Sequence, residues 1–159
     1  MMEITLIIDK DSLKKVQALV SDKRFREALL KTLMAAGMDL EARIVENITE
    51  RASNTGALAQ SWKVEPRDYD EVVVFSNLQY APFVEYGTRP HRAPIEPLRK
   101  WAHLKLNKSG KELERTAWAI WQKIARKGTE GKRYLRDALE NFNLNSYVKE
   151  LLKEWENAR

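Results

Sequence analysis

The residues able to do chemistry in this chain are few. Two histidines occur, His91 and His103, and there is no cysteine, so neither a disulfide nor a thiolate metal site can form. The histidines are too far apart in sequence for the HxxxH or HExxH spacings that put two imidazoles on one helical face. His91 stands among Arg89, Pro90, Arg92 and Pro94, where two guanidiniums repel a divalent cation. It reads as a surface or packing residue. His103 follows Trp101 on a helical pattern and reads as a partly buried packing residue. Glu85 and Glu96 are the carboxylates of the proline-rich stretch 77–97. A paired-carboxylate hydrolase needs both to converge on one cleft, and their spacing does not demand it. The glycines form no P-loop or GxGxxG cradle, and no serine lies in a nucleophile elbow. No catalytic residue, metal or cofactor is expected.

Charge points elsewhere. The net charge is +5, yet residues 1–80 hold 11 basic and 13 acidic side chains, and residues 81–159 hold 17 and 10. The excess concentrates between Arg89 and Arg136, with 14 basic against 4 acidic residues. Such a segment suits nucleic acid or an acidic protein surface. Trp101, Trp118, Trp121 and Tyr134 interleave with these cations and could stack on bases. Trp118 and Trp121, three apart beside Ile120 and Ile124, instead fit an amphipathic helix that buries at least one of them. No helix-turn-helix or other reading motif is present.

The elements that must position these groups follow from periodicity. Glu3–Asp9 alternates as a short strand, and Leu13, Val16, Leu19 and Val20 fit a first short helix begun by Asp11 or Ser12. From Ser21-Asp22 to about Ala52, Phe25, Leu29, Leu33, Ala36, Leu40, Ile44 and Ile48 recur at three- and four-residue steps, which makes a long amphipathic helix. Gly37 inside it implies close approach by a neighbour. Ser53 to Gly56 is a loop. Strands are expected at Leu58–Glu65 and Glu71–Ser76, joined through Pro66–Asp70. Helices follow from Ile95 and around Leu113–Ile124, broken at Asn107–Gly110, with Lys127–Lys132 a flexible loop. Tyr134–Trp155 holds one or two helices jointed near Asn141–Ser146. The order argues a single α+β domain over 1–159: a small, mainly antiparallel sheet of three to four strands on the long N-terminal helix, with more helices in the C-terminal half. No segment reaches the roughly 20 apolar residues of a membrane helix, and no signal h-region is evident; no membrane association is expected.

Three boxes carry a resemblance. Gln79-Tyr80-Ala81-Pro82-Phe83-Val84-Glu85-Tyr86-Gly87-Thr88 resembles the signature of the siphophage and provirus neck (head–tail connector, tail-component) family, typified by the tenth gene product of a lambdoid phage. Gly56-Ala57-Leu58-Ala59-Gln60-Ser61-Trp62 resembles that family's glycine and strand entry. Tyr134-Leu135-Arg136-Asp137-Ala138-Leu139-Glu140 resembles its C-terminal box, with Asp137 in place of proline, which leaves that helix less sharply started. Arg89–Leu98 and Ile120–Thr129 are similar to an insertion of longer members. The resemblance spans about 25–142 and leaves 143–159 as a helical extension.

In the central box Pro82 can begin a helical turn and Gly87 can end it at positive φ. Tyr80, Phe83, Val84 and Tyr86 would then pin the turn to the sheet, with Glu85 near backbone donors or Arg89. Gly56, Leu58, Trp62, Ala81, Thr88, Leu135, Arg136 and Leu139 complete the residues expected to hold the fold. Arg89, His91, Arg92, Arg99, Lys100, Arg126, Lys127, Lys132 and Arg133 are the expected contacts to a neighbouring subunit or DNA.

The resemblance implies a non-enzymatic virion subunit, made in the host cytoplasm, that forms a homo-oligomeric ring at the portal–tail junction. Its partners would be other neck, portal or tail proteins, with non-specific contact to DNA in the lumen. The alternatives are a basic nucleic-acid-binding domain, which predicts steeply salt-dependent DNA affinity, and a hydrolase built on Glu85, Glu96 and His91.

Overall fold

A computed structural model describes residues 1–7, 19–52 and 56–158. The short helix expected near Leu13 and the loop at Ser53 fall largely outside the described residues.

The long helix α1 spans Lys23–Arg51. Asp22 caps it: the carboxylate accepts from the Arg24 N–H at 2.8 Å, which satisfies one of the orphan donors of the first turn and lowers the Asp22 pKa. The predicted stripe from Phe25 to Ile48 is buried throughout. Each large apolar side chain of that stripe stabilises the fold by roughly 1.5–3 kcal/mol.

Strands β1 (Met2–Ile7), β2 (Trp62–Asp68) and β3 (Glu71–Ser76) form an antiparallel sheet in the order β1-β3-β2. Ile4 and Val64 both oppose Val74, so Met2, Ile4, Leu6, Trp62, Val64, Val72 and Val74 share one face. That face meets α1. Gly37 is where they come closest, because a Cβ there would lie 2.7 Å from Val64 Cγ1 and 3.2 Å from Val72 Cγ1. The close approach expected of Gly37 is therefore with the sheet.

Two strand boundaries differ from the sequence reading. Ala57–Gln60 is a helical turn, α2, not the start of a strand. Gly56 enters it at φ 75°, the Gln60 N–H reaches the Gly56 carbonyl, and the Ser61 hydroxyl donates to the Leu58 carbonyl at 2.7 Å. These local bonds, in a run of good helix formers, displace β pairing until Trp62. At the other end β2 continues through Pro66 to Asp68, with a bulge after Pro66. Proline is tolerated because β2 is an edge strand.

Helix α3 spans Ala81–Tyr86 and passes directly into β4 (Gly87–Thr88). Beyond it, α4 (Ile95–Leu106) and α5 (Gly110–Lys127) make an αα-hairpin, and β5 (Thr129–Glu130) returns to pair with β4. Helices α6 (Tyr134–Glu140) and α7 (Leu144–Asn157) close the chain against α1, jointed at 141–143. Trp155 meets Phe25 edge-on at 5.2 Å, and the Tyr147 hydroxyl donates to Asp39. The two helices of the hairpin pack chiefly on each other. Residues 89–127 thus form an arm, tied to the body at the β4–β5 ribbon. The architecture is α+β, with a three-stranded sheet on the long helix and further helices in the C-terminal half.

Candidate functional site

The central box lies where the arm joins the body. Helix α3 is six residues long, so its buried side is set by one i, i+4 pair, Ala81 and Glu85. Pro82 is its second residue, and Gly87 ends it at φ 77°, as expected. The remaining residues point away from the core. Tyr80 is 43% exposed, Phe83 60% and Tyr86 76%. The expectation that these aromatics pin the turn to the sheet is therefore incorrect; only Val84 is half-buried against the core.

Glu85 ties the turn to helix α6 instead. It is 2% exposed, and its carboxylate accepts from the backbone N–H of Leu135 at 2.8 Å and of Arg136 at 3.0 Å. These are orphan donors in the first turn of α6. Arg133, at the N-cap position, sits at φ 53° and offers no side-chain cap. A carboxylate from far back in the chain thus performs the capping that a local Ser or Asp usually performs. Its partner is the helix start and not Arg89. The same arrangement starts α6 sharply without proline, and Asp137 is free to pair with Arg51 and Arg136, which lowers its pKa.

The first and third boxes meet the second around Tyr134. Its hydroxyl donates to the Ala81 carbonyl at 3.1 Å and touches Met2 Sδ, and its ring meets Trp62 edge-on at 6.2 Å. Leu58, Trp62 and Leu135 are buried beside it, whereas Leu139 is 38% exposed and is not part of the buried core. Burial pushes the Tyr134 phenol well above its ordinary pKa of 10.0, and the Glu85 carboxylate adds to the shift. The neutral phenol is therefore favoured by folding. Its contribution is complete below pH 10 and is lost as pH rises beyond that, at up to about 1.4 kcal/mol per pH unit. Unfolding free energies from urea titration of the wild type and Tyr134→Phe should differ by about 1 kcal/mol at pH 8, from the lost hydroxyl bond. The wild type should then weaken more steeply between pH 10 and 11; parallel curves would show that Tyr134 does not titrate this way.

The segment 127–132, expected to be a flexible loop, is the other half of the ribbon. Two Gly-Thr dipeptides lie against each other: Thr88 pairs with Thr129, their hydroxyls are 2.9 Å apart, and Thr88 Oγ1 accepts from the Thr129 N–H at 3.1 Å. Pairing continues as the Lys132 N–H donates to the Val84 carbonyl and the Arg133 N–H to that of Glu85. A Cβ on Gly87 would run into the Thr129 carbonyl, on Gly128 into that of Thr88, and on Gly131 into that of Glu85. The repeated Gly-Thr was the available sequence signal for this ribbon.

The ribbon brings Arg89, Arg126, Lys127, Lys132 and Arg133 to the base of the arm, all exposed, beside Tyr86. Arg92 and His91 are exposed in the adjoining loop, where His91 Nδ1 lies 2.9 Å from the Arg89 carbonyl. Lys100 is exposed on α4. Arg99 departs from this set: it bonds Glu96 and, at 2.8 Å, Glu114, so it staples α4 to α5 and is not a free contact. His103 is exposed, and not partly buried as expected, with Nδ1 2.9 Å from the Lys108 carbonyl at the tip of the hairpin. Trp121 is half-buried, its indole N–H donating to the Ala93 carbonyl at 2.8 Å, and Trp118 stays 48% exposed.

The arm contains 11 cations and only three carboxylates, Glu96, Glu112 and Glu114. All three carboxylates are used inside the arm, by Arg99 and Lys108. Nine cations are left without an ion-pair partner among the described residues. Among those residues no group of three or more His, Asp or Glu side chains could hold a metal, and no helix is long and apolar enough to cross a membrane. The arrangement offers charge and aromatic surface.

Comparison with known families gives a match over the first half of the chain. Residues 10–87 fit the HK97-gp10-like family, described as "Bacteriophage HK97-gp10, putative tail-component". No curated protein and no solved structure matches the chain. The matched span takes in α1, the sheet strands β2 and β3 and the first two boxes, and it stops at Gly87, before the arm and the box at Tyr134. Over that span, just under half of its length, the chain is similar to the HK97-gp10-like family of phage tail components.

Proposed function

We propose that this chain is a structural virion protein of a tailed phage or provirus, a neck or tail-completion subunit that forms a homo-oligomeric ring at the portal–tail junction. The family match carries this reading. The site supports it, since the family box places its aromatic residues on the surface while its buried carboxylate ties α3 to α6. Exposed aromatic rings beside arginines are the composition of subunit interfaces. Self-association should be visible by sedimentation as rising concentration converts monomer into one closed species, seen as rings by electron microscopy. A chain that stays monomeric at every soluble concentration would overturn the reading.

The nine cations of the arm without an ion-pair partner among the described residues favour a second reading, contact with DNA through phosphate charge. It predicts duplex binding that weakens by orders of magnitude from about 50 to 200 mM salt. Fluorescence anisotropy with two unrelated duplexes would test it, and affinity that ignores salt would remove it.

A further inference from the structure

Two helix faces of this chain lie open, and their chemistry is complementary. One is the outward face of α5. Lys111, Arg115, Lys123 and Arg126 are exposed there around Trp118 and Ala119, and none of the four cations has an ion-pair partner among the described residues. The other is the face of α1 turned away from the sheet. Ala35, Met38 and Ala42 are exposed along it, with Met38 at 56%. Carboxylates flank that stripe: Glu41 on one side, Glu46 and Glu50 on the other, likewise without cation partners among the described residues.

We propose that α5 of one copy docks across the α1 face of a second copy, in a head-to-tail contact. This rests on the homo-oligomer reading above and names its surfaces. Three observations select a second copy as the occupant. The charges are opposite in sign, basic on α5 and acidic on α1, so the chain carries both halves of the contact. The spans agree as well. At 1.5 Å rise per residue, Arg115 and Arg126 stand about 16 Å apart along α5, and Glu41 and Glu50 about 13 Å apart along α1. The centres are complementary in size, because the small side chains of Ala35 and Ala42 leave room beside Met38 for the Trp118 indole. Nucleic acid would use the cations but would be repelled by the α1 carboxylates and leave their apolar stripe uncovered. Because the two faces are different surfaces, the contact is heterologous, and repetition closes a ring or extends a filament. An arm that packs chiefly on itself and is tied to its body by a short ribbon is free to reach a neighbour.

Charge exchange tests it. One variant carries Glu46→Lys with Glu50→Lys, a second Arg115→Glu with Arg126→Glu, and a third all four substitutions. All four positions are exposed, so thermal melts should stay near that of the wild type. Sedimentation of each double variant should show the dissociation constant of the assembly raised at least about tenfold, since like charges then meet across the contact. An equimolar mixture of the two doubles should assemble again, as should the four-substitution chain, because the opposite charges are restored in exchanged positions. If both doubles assemble like the wild type, this contact is wrong while the assembly reading stands. Loss of duplex DNA binding in the arginine variant, with assembly intact, would make the arm a nucleic-acid surface and overturn the proposal. A wild type monomeric at all concentrations overturns the assembly reading and this contact together.

Discussion

Replacing Glu85 with alanine should destabilise the protein by roughly 3 kcal/mol, and its melting temperature should fall by about 6–12 °C. The carboxylate is buried and accepts two backbone N–H groups, those of Leu135 and Arg136. Its removal leaves two donors without an acceptor, the Leu135 N–H buried and the Arg136 N–H part-buried, and a buried one costs about 1–3 kcal/mol. The truncated side chain also leaves a space beneath α3 that its neighbours fill only in part. Glu85→Gln should fall between, since the amide keeps one acceptor oxygen but turns an NH2 toward the second donor. Glu130→Ala, exposed on the adjoining strand, should change stability by no more than about 0.5 kcal/mol. Chemical denaturation of the three variants would decide the matter. If Glu85→Ala is as mild as Glu130→Ala, the carboxylate does not cap α6, and the box serves this chain through its surface alone.

Sequence periodicity made the body legible and left the junction obscure, for a physical reason. Helix α1 and strand β3 announce themselves because long runs of apolar residues must face one core, and the period records which face that is. Helices α4 and α5 were legible in the same way, with their break at Asn107, which stands at φ 50°. The central box was readable at its ends, Pro82 and Gly87, where backbone geometry dictates residue type. Its middle was misread. Aromatic side chains suggest burial, yet in so short a helix only one i, i+4 pair can face inward, and that pair is Ala81 and Glu85. Glu85 as a distant cap left no local trace, because its partners are backbone groups, which every residue has. The ribbon had a trace in the repeated Gly-Thr, although two-residue strands are below the length at which alternation carries information. Of the cations expected to make contacts, pairing in three dimensions alone separates Arg99 from the rest.

Two of the ribbon glycines, Gly131 and Gly128, should respond differently to alanine, and the contrast measures how the arm is attached. At Gly131 a Cβ would meet the Glu85 carbonyl oxygen and lie 2.7 Å from the Tyr86 carbonyl carbon. Both are backbone atoms, so relief requires moving the segment that carries Glu85 away from α6. Gly131→Ala should therefore cost roughly 3 kcal/mol, and should not add fully to Glu85→Ala because the two act on one set of contacts. Gly128 lies at the opposite end of the ribbon, at φ 75°, with its Cβ position against the Thr88 carbonyl. Here the chain has an easier escape, since Thr88 and Thr129 can part without disturbing the core. The penalty is then capped by the free energy of opening the ribbon. Gly128→Ala should leave the main melting transition within a few degrees, while hydrogen exchange at the ribbon amides accelerates more than about tenfold. Gly110 supplies the control: it also has positive φ, 54°, but nothing lies within 4 Å of its Cβ position, so only about 1–2 kcal/mol of backbone strain is expected at the tip of the arm. Should Gly128→Ala lower the melting temperature as far as Gly131→Ala does, the arm is not an appendage on a ribbon but part of the cooperative body. Its freedom to reach a neighbouring copy would then be correspondingly smaller.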